Sequence, residues 1–367
     1  MIALTLNVGS SSLKVALIRA DAGDEVPLWR TTVTRAPGAD VDLAPLQDEL
    51  RDLPAPEVVG HRVVHGGAAH VLPELVDDAL VADLEGLADL APLHQPACLD
   101  GIRRARQVWP DLPHVACFDT AFHHSLDAAA STFPIPAELR RPDVRRYGFH
   151  GLSYEYVVDR LGPAELGRAV LAHLGSGASV CAVRGGESID TTMGLTPSGG
   201  LVMASRPGDL DPGLLFHLLR SGGHRVDELE RLLDERSGLR GLSGRTSDMR
   251  QLLDLRGRRD PDATLAVEVF CRSARRAIAG AASMLGGIDT LVFTGGVGHG
   301  SAAVRRDICA GLSFMGVVVD DQANRAGVSV ISPPHSPLVV RSIETDEGVM
   351  IARHSSRLLV TSGEVDR

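Results

Sequence analysis

Residues 2–18 read IALTLNVGSSSLKVALI, two apolar runs on either side of the short turn Gly9-Ser10-Ser11-Ser12. The apolar runs at 2–8 and 13–18 predict two buried strands of one hairpin. Glycine lets a backbone approach a bound group closely, and serine hydroxyls with exposed N–H groups supply donors for phosphate. Ordinary tight hairpins favour the same residues, so this stretch alone leaves a phosphate site and a plain turn both open.

The pattern returns at 169–183, AVLAHLGSGASVCAV, around the turn Gly175-Ser176-Gly177. When Gly9 is set on Gly175, Ser10 falls on Ser176. Two similar hairpins, each opening one half of the chain, predict a duplicated α/β domain. Facing each other across a cleft, the two turns would form the nucleotide clamp of the superfamily that contains actin, sugar kinases and heat-shock chaperones.

The rest of the chain fits this duplicated plan. Segments 58–65, 114–119 and 289–294 read as buried strands, and the last runs into the glycine-rich turn Gly295-Gly296-Val297-Gly298. Segment 263–285 predicts a long amphipathic helix that starts after Asp260-Pro261-Asp262 and stops at Gly286-Gly287. We expect a first domain at 1–148, completed by a C-terminal helix at about 349–367, and a second domain at 149–348.

Composition narrows the class of protein. The formal net charge is −10 and no basic arm is present, which argues against a sequence-independent grip on nucleic acid. Of the thirty-seven cationic side chains, only Lys14 is a lysine, and it follows the first Gly-Ser turn. A compact ammonium suits a phosphate group, which favours a functional interpretation of Lys14 over chance survival.

Cysteine usage and hydropathy predict a cytoplasmic protein. The five cysteines are odd in number and far apart, so we expect small buried thiols in a reducing compartment rather than disulfides or a zinc site. The opening MIALTLNVG lacks the pattern of a secretion signal. No apolar run approaches the length that spans a bilayer, so no membrane contact is expected.

Three polar side chains are candidates for chemistry. Arg62 lies in a strand otherwise made of valines, where an arginine is costly unless a partner or ligand satisfies it. Arg62 is the strongest single hint in the chain, and a structural ion pair would also explain it. Arg206 stands in the Pro- and Gly-rich turn ASRPGDLDPG, and His150 in the Gly-flanked turn YGFHG, although an idle loop histidine is the commoner case.

Motifs of several other enzyme classes are missing. The sequence contains no GxxxxGK[ST] loop and no GxSxG elbow, which excludes a P-loop enzyme and weakens an esterase interpretation of His65-Gly66-Gly67. Its fourteen histidines show no HExxH pattern or paired zinc spacing.

A set of ordered segments resembles the acetate kinase family, with propionate and butyrate kinases as close relatives. The segments span nearly the whole chain and are NVGSSSLK (7–14), GHRVVHGG (60–67), LAPLHQP (90–96), FDTAFH (118–123), YGFHGLS (147–153), TPSGGLVMASRPGDLDP (196–212), SGLRGLSGRTSDMR (237–250), FTGGVGHGS (293–301) and TDEGVMIA (345–352). Each is weak alone, but the series in order is specific. It implies duplicated ribonuclease H-like domains of the actin and sugar-kinase type.

The resemblance also implies roles for individual residues. The metal ligands for Mg²⁺ would be Asn7 and Glu347. Catalysis would rest on Arg62, Asp119, His150 and Arg206. The acetate site would add Val64, Leu93, His94, Phe149 and Pro197 to Arg62. The nucleotide would contact Ser10, Ser12, Lys14, His173, Leu174, Gly175, Ser176, Gly177, Asp248, Met249, Arg250, Gly296, Val297, Gly298, His299 and Gly300.

The implied activity is reversible, Mg²⁺-dependent transfer of the γ-phosphoryl group of ATP to acetate by a homodimer. The chain departs from the family pattern around the nucleotide, with Ser176 in place of Asn and His299-Gly300 in place of Glu-Asn. The phosphoryl donor therefore stays open among ATP, another nucleotide and pyrophosphate. A propionate kinase, and a catalytically weak nucleotide-binding protein of the same fold, are the alternatives.

Overall fold

The computed structural model describes residues 1–9, 12–21, 24–34 and 42–363. The strands in chain order are β1 (Ile2–Val8), β2 (Ser12–Asp21), β3 (Asp24–Thr34), β4 (Val58–Val63), β5 (Glu74–Leu75), β6 (His114–Phe118), β7 (Arg168–Leu174), β8 (Ala178–Arg184), β9 (Glu187–Thr191), β10 (Thr290–Thr294) and β11 (Val339–Ser342). The predicted strands of both hairpins, and those of segments 58–65, 114–119 and 289–294, are all confirmed.

Helices fill the connections between these strands. In chain order they are α1 (Ala44–Leu50), α2 (Asp78–Glu85), α3 (Gln95–Val108), α4 (Ala128–Ser131), α5 (Gly151–Leu161), α6 (Pro163–Leu166), α7 (Pro212–Ser221), α8 (Val226–Arg236), α9 (Gly238–Ser243), α10 (Met249–Gly257), α11 (Pro261–Met284), α12 (Gly295–Gly298), α13 (Ala302–Ala310), α14 (Asp321–Ala326) and α15 (Glu347–Ser362). None of the helices in the described ranges is long and apolar enough to cross a membrane.

The strands form two sheets that share one topology. The first sheet has the order β3-β2-β1-β4-β6-β5 and the second has the order β11-β10-β7-β8-β9. In each, a three-stranded antiparallel meander is followed by two strands parallel to its first strand. Numbered within its own half, each sheet therefore reads 3-2-1-4-5, and β5 is an extra edge strand. This correspondence is the duplication that the two hairpins predicted.

The chain divides into two compact units. The first unit comprises Met1–His124, Phe149–Tyr156 and Asp346–Arg367, and the second comprises Ser125–Gly148 and Val157–Thr345. One boundary falls at 148/149, where the sequence placed the domain boundary. The units nevertheless differ from the predicted domains: segments 125–148 and 149–156 are exchanged, and 346–348 lie in the first unit rather than the second. The domain division itself stays a prediction.

Hydrogen bonds within each unit explain why these segments are exchanged. In the second unit, the Arg146 guanidinium donates to the backbone carbonyls of Thr191 and Thr192, each at 3.1 Å, and Tyr147 N donates to Gly194 O at 3.0 Å. In the first unit, Gly151 N donates to Asp119 O at 2.9 Å, at the start of α5. Such backbone pairing over long sequence distances carries no local sequence signal.

The first unit is built around the apolar face of its sheet and the C-terminal helix. Helix α15 packs on β1, β2, β4 and β6, with Met350, Ile351 and Leu359 in the buried core. A Cβ at Gly60 would stand 2.5 Å from Ile351 Cγ2, so glycine is required in β4 where the helix crosses it. The C-terminal helix predicted to complete the first domain is therefore present, at 347–362.

The second unit is built around α11. This helix packs against β7, β8 and β9 with a buried face that includes Val267, Phe270, Ala274 and Ile278. The Asp260 carboxylate caps its first turn by accepting from Ala263 N at 2.9 Å. The predicted helix and its start signal are confirmed. All five cysteines are buried and free, as their spacing suggested.

Candidate active site

Three parallel strands bring the central polar residues to one edge of the first sheet. Asn7 lies near the C-terminal end of β1, Arg62 near that of β4, and Asp119 directly after β6. The strands β1, β4 and β6 are adjacent and parallel. Because the carboxyl ends of parallel strands meet at one edge, side chains far apart in sequence converge there.

Arg62 is the centre of this cluster. Its Nε donates to Asp119 Oδ2 at 2.9 Å, and a second guanidinium nitrogen also contacts Oδ2. Its NH1 nitrogen lies 3.4 Å from Asn7 Oδ1. Asn7 Nδ2 in turn donates at 2.5 Å to Oε2 of Glu347, which is the first residue of α15. The structure thus joins four residues that the sequence assigned to catalysis and metal binding.

The electrostatics of the pair follow from its burial. Asp119 is fully buried and the Arg62 side chain is 12% exposed. Burial raises the pKa of Asp119 to about 6, although the nearby Arg62 charge acts in the opposite direction. Burial alone would lower the pKa of Arg62, but the carboxylates of Asp119 and Glu347 outweigh it and raise that pKa. Arg62 therefore stays charged, as a positive group held between carboxylates at the sheet edge.

The donor set fits Mg²⁺. Asp119 Oδ1 is buried and makes no hydrogen bond to any described residue, so it is an oxygen available for a ligand. The oxygens of Asp119, Glu347 and Asn7 are hard donors of the kind Mg²⁺ prefers. No group of three or more His, Cys, Asp or Glu side chains among the described residues could hold a metal. Mg²⁺ commonly uses one or two carboxylates and takes its other ligands from water and phosphate, so this set suffices.

His150 and Phe149 stand beside the cluster, on the loop that enters α5. His150 is buried and has a φ of 62°, in the left-handed region that L-residues seldom adopt. Such strain is often found at functional positions. The Phe149 ring contacts the His65 ring edge-on at 5.3 Å between centroids, and Phe149 O lies 3.1 Å from His123 Nε2. Phe149, in the turn that the sequence singled out, is thus held by contacts within the first unit.

The predicted acetate-pocket residues of the first unit lie around a clamp that the sequence did not reveal, which Gln95 forms on the backbone of His65. Val64 is buried, and Leu93 and His94 are half-buried. Gln95 is fully buried; its Nε2 donates to His65 O at 2.9 Å and its Oε1 accepts from His65 N at 3.1 Å. This two-point bond fixes the backbone next to Val64. A buried glutamine within LAPLHQP was the available signal.

Lys14 lies in β2, just after the first Gly-Ser turn. It pairs with Asn7 across the β1–β2 ladder, so both side chains lie on the same face of the sheet. Lys14 is exposed, whereas Ser12 is half-buried and closes the turn through its carbonyl, which accepts from Gly9 N at 2.8 Å. Ser10 lies outside the described residues, and its assignment stays a prediction.

In the second unit, the turns at 175–177 and 295–300 lie together. Strands β7 and β10 are adjacent and parallel, with Thr294 opposite His173. A Cβ placed on Gly175 would lie 3.7 Å from Gly296 N, and one on Gly295 would meet Leu174 O at 2.7 Å. This contact requires glycine at 295, where φ is 77°. The strand edge thus gathers His173, Leu174, Gly175, Ser176, Gly177, Gly296, Val297, Gly298, His299 and Gly300.

Arg206 and Pro197, both assigned to the reaction by resemblance, contact each other. The buried Arg206 donates from NH1 to Pro197 O at 2.7 Å. Residues Asp248, Met249 and Arg250 open α10, where Asp248 caps the helix and pairs with the exposed Arg250 at 2.8 Å. Helix α10 packs on α11. No contact described above joins 248–250 to the glycine-rich turn, and their nucleotide role stays a prediction.

A duplicated α/β fold with a buried arginine–carboxylate cluster in one unit and paired glycine turns in the other defines a kinase of the actin and sugar-kinase class. A family model described as the Acetokinase family matches residues 43–353. An acetate kinase of Clavibacter michiganensis subsp. michiganensis is 48% identical over 317 residues, covering 84% of this chain and 79% of that protein.

Solved structures agree with this assignment. A propionate kinase from Francisella tularensis subsp. tularensis superposes with a TM-score of 0.87 at 34% identity, covering 97% of this chain and 99% of that one. An acetate kinase from Porphyromonas gingivalis gives 0.84 at 31% identity, covering 98% and 99%. This chain belongs to the acetokinase family. The predicted resemblance, the fold class and a kinase acting on a carboxyl group are confirmed.

Proposed function

We propose that this protein transfers the γ-phosphoryl group of ATP to acetate, giving acetyl phosphate and ADP, and that it catalyses the reverse reaction. The observation that carries the proposal is the buried Arg62–Asp119 pair with Asn7 and Glu347 at one sheet edge, in a chain of the acetokinase family. Four residues from four distant segments meet there in the residue types that phosphoryl transfer requires.

The chemistry explains why the site contains arginine and needs no general base. An acetate carboxylate is already ionised at neutral pH, so the obstacle is the approach of one anion to another. Two unit charges 4 Å apart repel by about 1 kcal/mol in water and about 4 kcal/mol at an effective dielectric of 20. Arginine side chains offset this repulsion and stabilise charge on the transferring group.

Within this proposal the residues of the cluster have distinct tasks. The Arg62 guanidinium neutralises the transferring phosphoryl, and Asp119 orients that guanidinium through Oδ2. Asn7 and Glu347, with Asp119 Oδ1, would hold Mg²⁺. When bound, Mg²⁺ supplies positive charge to the phosphate oxygens of the nucleotide. An acetate oxygen forms the new bond to phosphorus as the bond to the ADP oxygen breaks.

The cellular setting completes the proposal. Five free, buried thiols are typical of a protein from a reducing compartment, which supports a cytoplasmic location.

Helix α7 supports a homodimer, because its run PGLLFHLLRS is rich in leucine and yet none of its residues is buried. Phe216 on this helix is 55% exposed. An apolar helix that is left uncovered is typical of an interface between subunits.

A hydroxamate assay for acyl phosphate tests the function. Purified protein is incubated with Mg²⁺, hydroxylamine, ATP and one carboxylate at a time, with acetate, propionate and butyrate compared. We expect acetate to give the highest kcat/KM, and removal of divalent cation with EDTA to abolish the signal. A higher value for propionate would identify a propionate kinase. No acyl phosphate with any of the three would contradict the proposal and favour a non-catalytic nucleotide-binding protein.

A further inference from the structure

A buried arginine next to the glycine-rich turn is not explained by the functions described so far. Arg305, in α13, is 1% exposed, and every hydrogen bond that its guanidinium makes within the described chain ends on a carbonyl or amide oxygen. None of those partners carries a charge. Burying a guanidinium without a carboxylate is costly, so the position must gain something from it.

The partners of Arg305 lie on the turn and on a neighbouring helix. One terminal nitrogen donates to Gly298 O at 2.9 Å and also contacts His299 O. Its Nε donates to Asn324 Oδ1 at 2.7 Å, and the other terminal nitrogen donates to Asn324 O at 2.9 Å. Asn324 is 2% exposed and donates from Nδ2 to Ala302 O at 2.9 Å. Arg305 therefore ties two backbone carbonyls of the turn to the backbone and side chain of Asn324 in α14.

Peptide geometry shows what this contact sets. In a trans peptide, the carbonyl of one residue and the N–H of the next point in opposite directions. A guanidinium that holds the His299 carbonyl therefore leaves the Gly300 N–H facing away from α13. The His299 ring is fixed separately, with Nδ1 3.1 Å from Ser342 Oγ. Backbone and side chain of the turn are thus held by different partners.

We infer that Arg305 is a positioning residue for the phosphoryl donor: it holds the carbonyl side of residues 298–299 so that the opposite side of the turn keeps the shape that receives the nucleotide. The inference rests on the proposed function and on the family resemblance, which assigns the nucleotide to this turn. Arg305 itself contacts only the protein. Its loss should weaken nucleotide binding and leave the acetate site, which is assigned to other segments, unaffected.

The test compares three variants with a matched control. Arg305→Met removes the charge at similar length, Arg305→Lys retains the charge without the planar fork, and Asn324→Asp retains the acceptor for Arg305 Nε. The neighbouring Arg306→Met is the control, because Arg306 is 53% exposed and, among the described residues, its ion pair is with Asp307. For each, kcat, KM for ATP and KM for acetate are measured, ATP affinity is measured by calorimetry, and folding is checked by circular dichroism.

We expect Arg305→Met to raise KM for ATP at least tenfold, with kcat and KM for acetate within about threefold of the parent. The KM for ATP of Arg305→Lys should lie between those of the parent and Arg305→Met. The constants of Arg306→Met should match those of the parent. If Arg305→Met does not fold, the inference is tested by the ATP affinities of Arg305→Lys and Asn324→Asp instead. An unchanged ATP affinity in a folded variant, or equal losses for ATP and acetate, overturns the inference.

The calorimetry separates failure of the inference from failure of the proposed function. If the parent protein makes no acyl phosphate, the proposed function fails, and the ATP dissociation constants alone judge Arg305. A parent that binds neither ATP nor any other nucleoside triphosphate overturns the Arg305 inference as well. A parent that is active while Arg305→Met keeps the parent's ATP affinity leaves the function standing and removes Arg305 from it.

Discussion

At the scale of single residues, the reactivity of the proposed site depends on how Arg62 is held. The side chain is nearly buried, and Asp119 and Asn7 occupy its donors on one side. A fixed cation costs little reorganisation when charge develops in the transition state, which is where such groups contribute most. Removing it leaves the Asp119 carboxylate buried without its partner, an unfavourable state.

Arg62→Ala should therefore lower kcat at least a hundredfold, about 2.7 kcal/mol of transition-state stabilisation. The same loss is predicted for Arg206→Ala. Steady-state kinetics with acetate and ATP are compared with those of Arg104→Ala, a control that removes an arginine paired with Asp100 in α3. A kcat within a few-fold of the parent would exclude the affected arginine from the mechanism.

Val64 tests the acyl pocket at the same scale. Val64→Ala should widen the pocket, so that propionate and butyrate gain relative to acetate. One methylene in an apolar pocket is worth about 1–3 kcal/mol, so the ratio of kcat/KM values should change by tenfold or more. Val63→Ala is the matched control, because Val63 packs into the core with Leu80 and Val81. If the two variants show the same acyl preference, Val64 does not line the pocket.

At the scale of elements, the two turns of the second unit are the segments that the proposed function assigns to the phosphoryl donor. Ser176 is exposed, and its carbonyl accepts from Ala204 N at 3.1 Å. Gly300 is different, because a Cβ there would stand 2.5 Å from Gly296 O. An asparagine at 300 would therefore require the turn to shift. The two departures from the family pattern are not equivalent, and only position 176 has room for a longer side chain.

Selectivity among nucleoside triphosphates should consequently be weak. Each lost neutral hydrogen bond is worth about 0.5–1.5 kcal/mol, so each departure relaxes selectivity by only a few-fold. The measurement is kcat/KM for ATP, GTP, ITP, CTP and pyrophosphate at saturating acetate and Mg²⁺. Ser176→Asn should sharpen the preference a few-fold, and Ser221→Asn, at the end of α7, should not. A hundredfold preference of the parent for ATP contradicts this hypothesis, and pyrophosphate as best donor contradicts the nucleotide clamp.

At the scale of the whole molecule, buried neutral histidines make stability depend on pH. His123 is 1% exposed, and burial lowers its pKa to about 4 from the ordinary 6.5. Burial also lowers the pKa values of His61 and His114, whose rings share a hydrogen bond of 2.9 Å between His61 Nε2 and His114 Nδ1. Between pH 6.5 and 4 His123 takes up a proton in the unfolded chain but not in the folded protein, so stability falls as pH falls, and His61 and His114 act in the same direction.

For His123 alone this lowers the free energy of unfolding by about 3 kcal/mol between pH 6.5 and pH 4. Urea unfolding at a series of pH values measures the effect. His123→Gln should flatten the slope in this range, and His224→Gln, at an exposed site, should leave it as in the parent. Equal slopes for His123→Gln and the parent would show that His123 is not held neutral.

Assembly is the second property at this scale. If α7 forms the subunit interface, Phe216→Asp should convert a dimer into a monomer, because a charge would be buried among leucines. Size-exclusion chromatography with light scattering gives the mass. Val360→Asp is the control, an equally exposed apolar residue at the end of α15 that is 64% exposed. A monomeric parent, or a dimer that survives Phe216→Asp, removes α7 from the proposed interface.

Much of the plan was already determined by the sequence. The apolar runs around Gly9 and Gly175 predicted both hairpins, and the start and stop residues of 261–284 predicted α11, because these signals are local. The cost of an arginine on an apolar strand marked Arg62. The same signal marks Arg305, which stands among the buried Val304, Ile308 and Cys309 of α13 and was overlooked.

What only the tertiary structure decided is which distant residues meet. Asp119 joins Arg62 because β4 and β6 are parallel neighbours, and Asn7 joins Glu347 because α15 packs back on β1. The exchange of 125–148 and 149–156 between the units, and the clamps formed by Gln95 and Arg305, arise in the same way. Such contacts depend on strand order and helix packing, which arise from the burial of the whole chain, so no short window of sequence specifies them.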